Sequence, residues 1–271
     1  MKDTFAKFIE QSAIRFKHAK GMLNVWGNEI HPFHEIFLFL GGDAEFVSEE
    51  INLKLNPETL IIIPKEKYHQ FIVHGAEEEY QRFVINFPNN EKMSNLLQFV
   101  MKRVCVIEQP SPAIRLLFER LKASFTEPLH ANEKGLLLSA IHTQLLLEIK
   151  LQLIHGTFSY KNHKDPLTIQ ALQYINNHFS QKIIITDIAA MLNVSVSTLT
   201  HIFKKDMHIS FYHYILEKRL VEANQKISGG MRPTDAAYLC GFYDYSAFYR
   251  AYKKMFGKNP SDKTLKRIME Q

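Results

Sequence analysis

The stretch Thr186-Asp-Ile-Ala-Ala-Met-Leu192, with Ser197-Thr-Leu-Thr-His-Ile-Phe-Lys-Lys205 behind it, is repeated later in the same chain. The second copy is Thr234-Asp-Ala-Ala-Tyr-Leu-Cys240 followed by Ser246-Ala-Phe-Tyr-Arg-Ala-Tyr-Lys-Lys254, and it needs one extra residue in its turn. Self-similarity of this kind indicates a duplicated structural unit. Each copy has the pattern of a short helix, a tight turn and a second helix.

Both copies place apolar residues at the spacing of one helix face, which predicts a buried side for each second helix. The buried positions are predicted to be Leu199, Ile202 and Phe203 in the first copy and Phe248, Ala251 and Tyr252 in the second. Ser195 is the predicted N-cap of the first of these helices, and Gly241 is predicted to form the turn of the second copy. Small Ala189 and Ala237 suit the close crossing of two helices.

The remaining face of each second helix is polar and basic. Its residues are Ser197, Thr198, Thr200, His201, Lys204 and Lys205 in the first copy and Ser246, Tyr249, Arg250, Lys253 and Lys254 in the second. Hydroxyl groups and cations contact base edges and phosphates, so we predict that both helices bind double-stranded DNA. A predicted helix over Phe211–Ile227 spans about 26 Å between the units. That length suits two helices about 34 Å apart, one turn of DNA, in successive major grooves.

Charge is distributed unevenly along the chain. Residues 161–271 hold 16 Lys+Arg and 9 Asp+Glu, a net charge of +7, whereas residues 1–160 have a net charge of −2. A basic C-terminal part beside a slightly acidic N-terminal part is typical of a nucleic-acid reader with a separate sensing domain. An uneven surface charge without function would give the same numbers.

Residues 22–87 have the pattern of short β-strands separated by turns, which favours a sandwich or barrel. The predicted strands are Ile36–Leu40, Ala44–Val47, Ile51–Leu55, Leu60–Ile63 and Phe71–Val73, with another along the segment Tyr80-Gln-Arg-Phe-Val-Ile. Residues 92–155 are predicted to be helical. One helix starts at Ser111 or Pro112 and runs to about Phe125, and a longer one covers about Glu133–Ile154.

The longer helix is apolar on more than one side, so it is either buried within its own domain or part of a dimer interface. The polar segment 156–166, which contains Gly and Pro, is predicted to be a linker. The resulting division is a domain over 1–155, a linker over 156–166 and a DNA-binding domain over 167–271.

From about Pro166 to Lys266 the chain resembles the AraC/XylS family of transcription regulators. The resemblance is most specific at Gly241-Phe242, Phe248, Lys253-Lys254, Phe256-Gly257 and Pro260-Ser261. It departs from the family at Ala236, where a larger aliphatic residue is usual, and at Tyr249, where a small polar residue is common. The resemblance implies control of transcription at promoters, with a homodimer, a small-molecule effector and RNA polymerase as partners. Activation and repression both stay open.

Residues 22–87 are similar, more weakly, to the cupin-like barrel found in that family, through His31-Pro-Phe-His34-Glu35-Ile36, Gly41, Pro57, Pro64 and His69. The expected fold class is therefore α+β: a cupin-like β-barrel, dimerisation helices, and an all-α domain with two helix-turn-helix units. An effector site in the barrel, sugar-like in chemistry, is predicted to use Trp26, His31, Glu35, His69 and Arg82. Arg82 as a plain outward charge is the competing interpretation.

His31, His34, Glu35 and His69 are also residue types that bind metals. Metal-binding cupins usually carry a His-x-His pair, and Glu29-Ile30-His31 breaks it. We therefore expect no metal and no cofactor, and a structural role for these groups at the barrel mouth is the simplest alternative.

Other function classes are left as alternatives or excluded by missing motifs. The alternatives are a cupin-type metal enzyme with an accessory helical domain and an architectural DNA binder without sequence preference. No nucleophile elbow or phosphate-binding loop occurs, so no catalytic residue is predicted. Cys105 and Cys240 form no metal or disulfide pattern, which favours a reducing cytoplasm. The N-terminus has no apolar signal core, and no uninterrupted apolar run is long enough for a bilayer, so no membrane is expected.

Overall fold

A computed structural model describes residues 5–11, 14–21, 30, 31, 33–87, 103–155 and 164–262. The chain divides into two compact units, residues 1–163 and residues 164–271. The described strands all lie in the first unit and the second is helical, so the mixed α and β fold class is confirmed. Of the predicted linker, residues 156–163 lie outside the described residues, and Pro166 already begins a helix.

The first unit contains two antiparallel sheets. Its strands are β1 (Phe5–Gln11), β2 (Ile14–Lys20), β3 (His34–Gly41), β4 (Ala44–Ser48), β5 (Asn52–Lys54), β6 (Leu60–Ile63), β7 (His69–Val73), β8 (Gln81–Phe87) and β9 (Cys105–Ile107). The larger sheet has the order β1-β2-β8-β3-β6-β9 and the smaller one β5-β4-β7. The cupin-like sheet architecture of this unit agrees with the sequence prediction.

Alternation along the strands gives the larger sheet two apolar faces. On β3, Ile36 and Leu38 face the helices of the unit, while Phe37 and Phe39 face the smaller sheet. Phe37 stacks on Phe71 of β7 with ring centroids 3.9 Å apart. The interior between the two sheets is therefore lined by aromatic and aliphatic side chains, and polar groups within it stand out.

Two helices cover the outer face of the larger sheet: α1 (Pro112–Ser124) and α2 (Ala131–His155). Both agree with the predicted helices, and Ser111 caps α1 by accepting a hydrogen bond from the Ile114 N–H. Along α2, Leu138, Leu145 and Ile149 are buried against the sheet. Each such side chain contributes roughly 1.5–3 kcal/mol of hydrophobic stabilisation.

Helix α2 is long and apolar enough to cross a membrane by length and composition alone. Its buried side chains pack into the same core as the larger sheet. That packing is typical of the core helix of a globular unit, so α2 gives no indication of a membrane protein.

The prediction that residues 92–155 are helical was wrong at residues 105–107, which form a strand. Strand β9 pairs antiparallel with β6, with Ile62 opposite Cys105 and Leu60 opposite Ile107. A three-residue strand buries only two alternating side chains, too weak a signal to separate from a helix pattern. Strands β1 and β2 were also missed. Both precede residue 22, where the predicted strand region began. Residues 22–29 and 92–102 lie outside the described residues.

The second unit consists of helices joined by short turns. They are α3 (Pro166–His178), α4 (Ile185–Met191), α5 (Val196–Met207), α6 (Phe211–Ser228), α7 (Pro233–Leu239) and α8 (Tyr245–Phe256). Helices α4 and α5 form the first helix-turn-helix unit, and α7 and α8 form the second. The connector predicted over Phe211–Ile227 is α6, and it is one residue longer.

Equivalent residues form the core of each helix-turn-helix unit, as the repeat predicted. Leu199 and Phe203 of α5 are fully buried, and so are Phe248 and Tyr252 of α8. Phe203 stacks on Phe211 at the start of α6, with ring centroids 3.9 Å apart. Phe242, which follows the glycine of the second turn, packs in the core around Phe248. The duplication in the sequence is therefore a duplication of packing.

The turns of the two units depend on backbone conformations that few residues adopt. Asn193 in the first turn has φ 53° and Gly241 in the second has φ +83°. A Cβ atom at Gly241 would lie 2.8 Å from the carbonyl oxygen of Ser180. Glycine is thus required at this turn for both its backbone angle and its lack of a side chain.

Candidate nucleic-acid interface and effector site

The predicted DNA-binding residues lie on the solvent side of the two recognition helices, α5 and α8. Exposed members are Ser197, Thr198, His201, Lys204 and Lys205 on α5 and Ser246, Arg250, Lys253 and Lys254 on α8. Thr200 and Tyr249 are half-buried. Both helices thus present hydroxyl groups near the start and a pair of lysines in the last turn. Cations are the groups that bind phosphates and hydroxyl groups can hydrogen-bond to bases, so this arrangement is of the kind that contacts DNA.

Hydrogen bonds within the protein already engage some of the polar groups on and next to the recognition helices. Ser195 accepts from the Thr198 N–H at 3.0 Å, which confirms it as the N-cap of α5. The Thr200 hydroxyl donates to the carbonyl of Val196 at 2.8 Å, so its proton is turned back onto the helix. The Tyr249 hydroxyl donates to Asn259 Oδ1 at 2.6 Å. Tyr249 is therefore anchored to the segment after α8.

In the first unit, His31, Glu35 and His69 come together between the two sheets. One potential ligand atom from each of the three lies within 4.8 Å of the others, and all three residues are buried. Glu35 lies on β3 opposite Ile63 and Asn86, His69 begins β7, and His31 lies just before β3. His31 Nε2 and Glu35 Oε2 are 3.3 Å apart.

Backbone and amide groups fix the orientation of this His31–Glu35–His69 cluster. Nδ1 of His31 lies 2.8 Å from the Phe33 carbonyl, and Nδ1 of His69 lies 3.1 Å from the Lys67 carbonyl. A carbonyl only accepts, so in both rings Nδ1 carries a proton. Asn86 Nδ2 donates to Glu35 Oε2 at 2.8 Å. Asn86 was not predicted as a site residue, although it shares the β8 face of Arg82 and Val84.

Burial and neighbouring charges shift the pKa values of Glu35 and His69 in the cluster. Burial opposes ionisation of Glu35, but hydrogen bonding to His31 and the charges of His31 and His69 outweigh it and lower its pKa to about 2. Burial and the charge of His31 lower the pKa of His69 to about 4, against the opposing attraction of Glu35. Near neutral pH, Glu35 is therefore a carboxylate and His69 is neutral, with its proton on Nδ1.

Of the other two predicted effector residues, only Arg82 is described, and it lies apart from the cluster. Arg82 is buried, which removes the interpretation as an outward charge, and its Nη1 donates to the Gly21 carbonyl at 3.0 Å. It pairs with Phe39, whereas Asn86 pairs with Glu35, so it lies about 13 Å further along the strands. His34, which was considered only as a metal-binding residue type, accepts through Nδ1 from the Lys65 N–H at 3.1 Å. Trp26 lies outside the described residues.

Paired helix-turn-helix units with basic faces, joined to a two-sheet unit with a polar interior cluster, define a DNA-binding regulator with a ligand-binding domain. Comparison with known proteins agrees. Residues 188–265 match a family described as a helix-turn-helix domain, and residues 13–146 match the AraC-like ligand binding domain. The chain belongs to the AraC family of transcriptional regulators, which bind DNA and small-molecule effectors.

Relatives support this assignment over most of the chain. The Msm operon regulatory protein of Streptococcus mutans is 30% identical over 246 residues, 87% of this chain and 85% of its own length. The probable transcriptional regulator LumQ of Photobacterium leiognathi is 28% identical over 85% of this chain and 89% of its own. The xylose operon regulatory protein of Escherichia coli is 27% identical over 104 residues, 38% of this chain and 26% of its own.

Proposed function

We propose that this regulator binds promoter DNA sequence-specifically with α5 and α8 in successive major grooves of one DNA face. The observation that carries the proposal is the duplicated exposed basic face, with Lys204 and Lys205 on one helix and Lys253 and Lys254 on the other. The 18 residues of α6 span about 27 Å between the units. With the widths of the flanking helices, that length suits two contacts one DNA turn apart, about 34 Å.

The test is binding of the full chain to the DNA upstream of its own gene, against scrambled DNA of equal length, across a salt series. Specific recognition predicts a preference of roughly a thousandfold for the genomic fragment. Equal, salt-sensitive binding to both fragments would instead identify an architectural DNA binder. Lys253→Gln is expected to weaken binding and to reduce the slope of log affinity against log salt by about one. Lys122→Gln, an exposed lysine of α1, is the matched control.

The two-groove geometry has its own test. Hydroxyl-radical footprinting is expected to show two protected patches one helical turn apart on the same face. Inserting five base pairs between them turns one contact to the opposite face and should reduce affinity to that of a single unit. Ten inserted base pairs should not restore it, because α6 has a fixed length. Restoration by ten base pairs would contradict a rigid pair of recognition helices.

We further propose that a sugar-like effector binds between the sheets of the first unit, near Glu35, His69 and Asn86. A carboxylate, an imidazole and an amide suit the hydroxyl groups of a sugar, and Phe46 and Phe71 provide apolar ring faces. The relative named for the xylose operon supports this chemistry. Calorimetric titration with pentoses and hexoses tests it, with Glu35→Gln expected to abolish any binding. Promoter binding unchanged by every sugar that binds would contradict an effector role.

A homodimer through α2 is the partner arrangement we propose. Leu136, Leu147, Leu151 and Ile154 are exposed and recur at helix spacing on one side of α2. Leu151→Glu is expected to shift the sedimentation coefficient from dimer to monomer, whereas Leu116→Glu on α1, also exposed, should not.

We propose RNA polymerase as a further partner. Transcription with purified polymerase, with and without this protein, will distinguish activation from repression.

A further inference from the structure

The geometry points to a divalent transition-metal site formed by Nε2 of His31, Nε2 of His69 and the carboxylate of Glu35. This goes beyond the proposed regulator function, since DNA binding and sugar binding both stand without it. The sequence predicted no metal, because the His-x-His pair is broken at Glu29. The structure nevertheless brings three potential ligands, two from the start of β3 and its approach and one from β7, within 4.8 Å of one another.

Distances within the cluster fit a metal of zinc size. With metal–nitrogen bonds of about 2.0–2.1 Å, two ligand atoms at a tetrahedral metal lie about 3.4 Å apart. His31 Nε2 and Glu35 Oε2 are separated by 3.3 Å. The centroids of the His31 and His69 rings are 4.9 Å apart, close to the separation of about 5 Å for two imidazoles sharing such a metal. The three ligand atoms lie within 4.8 Å of one another, so metal binding requires them to approach by at most about 1.4 Å.

The surrounding hydrogen bonds are those that orient metal ligands. Metal-binding histidines almost always donate their other ring N–H to a carbonyl or carboxylate. His31 and His69 both do so through Nδ1, to the carbonyls of Phe33 and Lys67. Asn86 holds the carboxylate of Glu35 in turn. Because Nδ1 of each ring donates to a carbonyl, Nε2 is the nitrogen through which each imidazole would bind the metal.

The donor set selects the class of metal. Two imidazole nitrogens and one carboxylate suit Zn²⁺, Co²⁺ and related first-row divalent ions better than Ca²⁺ or Mg²⁺, which prefer oxygen ligands only. Three protein ligands leave a coordination position for an oxygen atom from outside the protein. The site therefore offers a direct point of attachment for a hydroxyl or carboxylate group of a small molecule.

Substitution by asparagine separates metal binding from structure. In His69→Asn the amide N–H₂ can still donate to the Lys67 carbonyl, while the Nε2 ligand atom is lost. The same applies to His31→Asn and the Phe33 carbonyl. His34→Asn is the matched control, because His34 is equally buried, lies outside the cluster, and uses Nδ1 as an acceptor that an asparagine oxygen can replace.

The experiment is dialysis of the full-length protein against Zn²⁺ or Co²⁺, followed by metal analysis, absorption spectroscopy of the cobalt form and thermal unfolding. Wild type and His34→Asn are expected to retain one equivalent that His69→Asn and His31→Asn lose. The metal affinity of His69→Asn and His31→Asn should fall more than about a hundredfold. A hundredfold is the upper range for loss of a residue that only supports a ligand. The metal should raise the unfolding temperature of wild type and His34→Asn only.

Equal metal retention by wild type and His69→Asn would overturn the proposal, as would a wild type that retains none. If an asparagine variant fails to fold, Glu35→Gln is the second variant to test, because it also removes a ligand. Equal metal retention by Glu35→Gln and wild type would overturn the proposal as well. The readouts involve neither DNA nor sugar. A failure here therefore leaves the proposed regulator function intact, and the converse also holds.

Discussion

The ammonium group of Lys164 donates to the main-chain carbonyl of Asp206 at 2.8 Å, in the last turn of the first recognition helix. The Asp206 carboxylate accepts from the Asp165 N–H, also at 2.8 Å. The last four carbonyls of a helix have no partner within it, and a cation there also interacts favourably with the helix dipole. The first two described residues of the second unit thus stabilise the C-terminal end of α5.

Lys164→Met is expected to lower the free energy of unfolding of the second unit by about 2 kcal/mol, because a buried charge-assisted hydrogen bond is lost. Thermal unfolding measures the effect. Lys182→Met removes an exposed lysine from the loop before α4 and should change stability little. Equal shifts in the two variants would show that the contact with Asp206 contributes nothing.

Gly241→Ala is expected to destabilise the second helix-turn-helix unit by roughly 3 kcal/mol or more, since it combines left-handed strain with a clash. The new Cβ would meet the Ser180 carbonyl at 2.8 Å, and a backbone atom cannot move aside cheaply. Gly230→Ala is the control, because its φ is +96° but nothing lies within 4 Å of its Cβ position. It should cost only about 1–2 kcal/mol in urea unfolding. Similar losses in the two variants would contradict the clash.

His142 predicts a pH dependence of stability. It is fully buried in α2 against the rings of Phe16 and Phe87, and burial lowers its pKa to about 4. As pH falls below the ordinary value of 6.5, the unfolded chain takes up a proton before the folded one does. Stability is therefore lost between pH 6.5 and about 4, by roughly 3 kcal/mol at most.

His142→Leu removes this titration and is expected to flatten that part of the pH–stability curve. His155→Leu, an exposed histidine of the same helix, is the control. The contribution of His69, whose pKa is also lowered to about 4, is common to all three proteins and cancels in the comparison. Parallel curves for wild type and His142→Leu would contradict the argument.

The second unit was predictable because its signals are local. The helix spacing of Phe248 and Tyr252, the cap at Ser195 and the positive φ of the turn at Gly241 are each signalled by residues within a few positions. Strand β9 was not predictable in the same way, because its three residues become a strand only by pairing with β6, far away in sequence.

In the effector region, the residue types were predictable from the sequence, but their positions relative to one another were not. His31, Glu35 and His69 were identified by their chemistry, but their grouping depends on strand register. Register places Asn86 opposite Glu35, and Arg82 opposite Phe39. A shift of one residue would turn every side chain of β8 to the other face. Sequence patterns do not determine register between distant strands, so neither the place of Asn86 beside Glu35 nor the separation of Arg82 from this cluster could be predicted.

Tyr249 was predicted to read bases, and its hydrogen bond gives a sharper expectation. The hydroxyl donates to Asn259 at 2.6 Å, and the residue is half-buried. Tyr249→Phe should therefore cost about 1 kcal/mol of stability while leaving the preferred DNA sequence unchanged. Arg250→Gln, its exposed neighbour, should leave stability unchanged but weaken binding and relax selection at one position. Selection from a randomised DNA pool, with thermal unfolding of both variants, measures this. An altered sequence preference in Tyr249→Phe would show that the hydroxyl leaves Asn259 to contact a base.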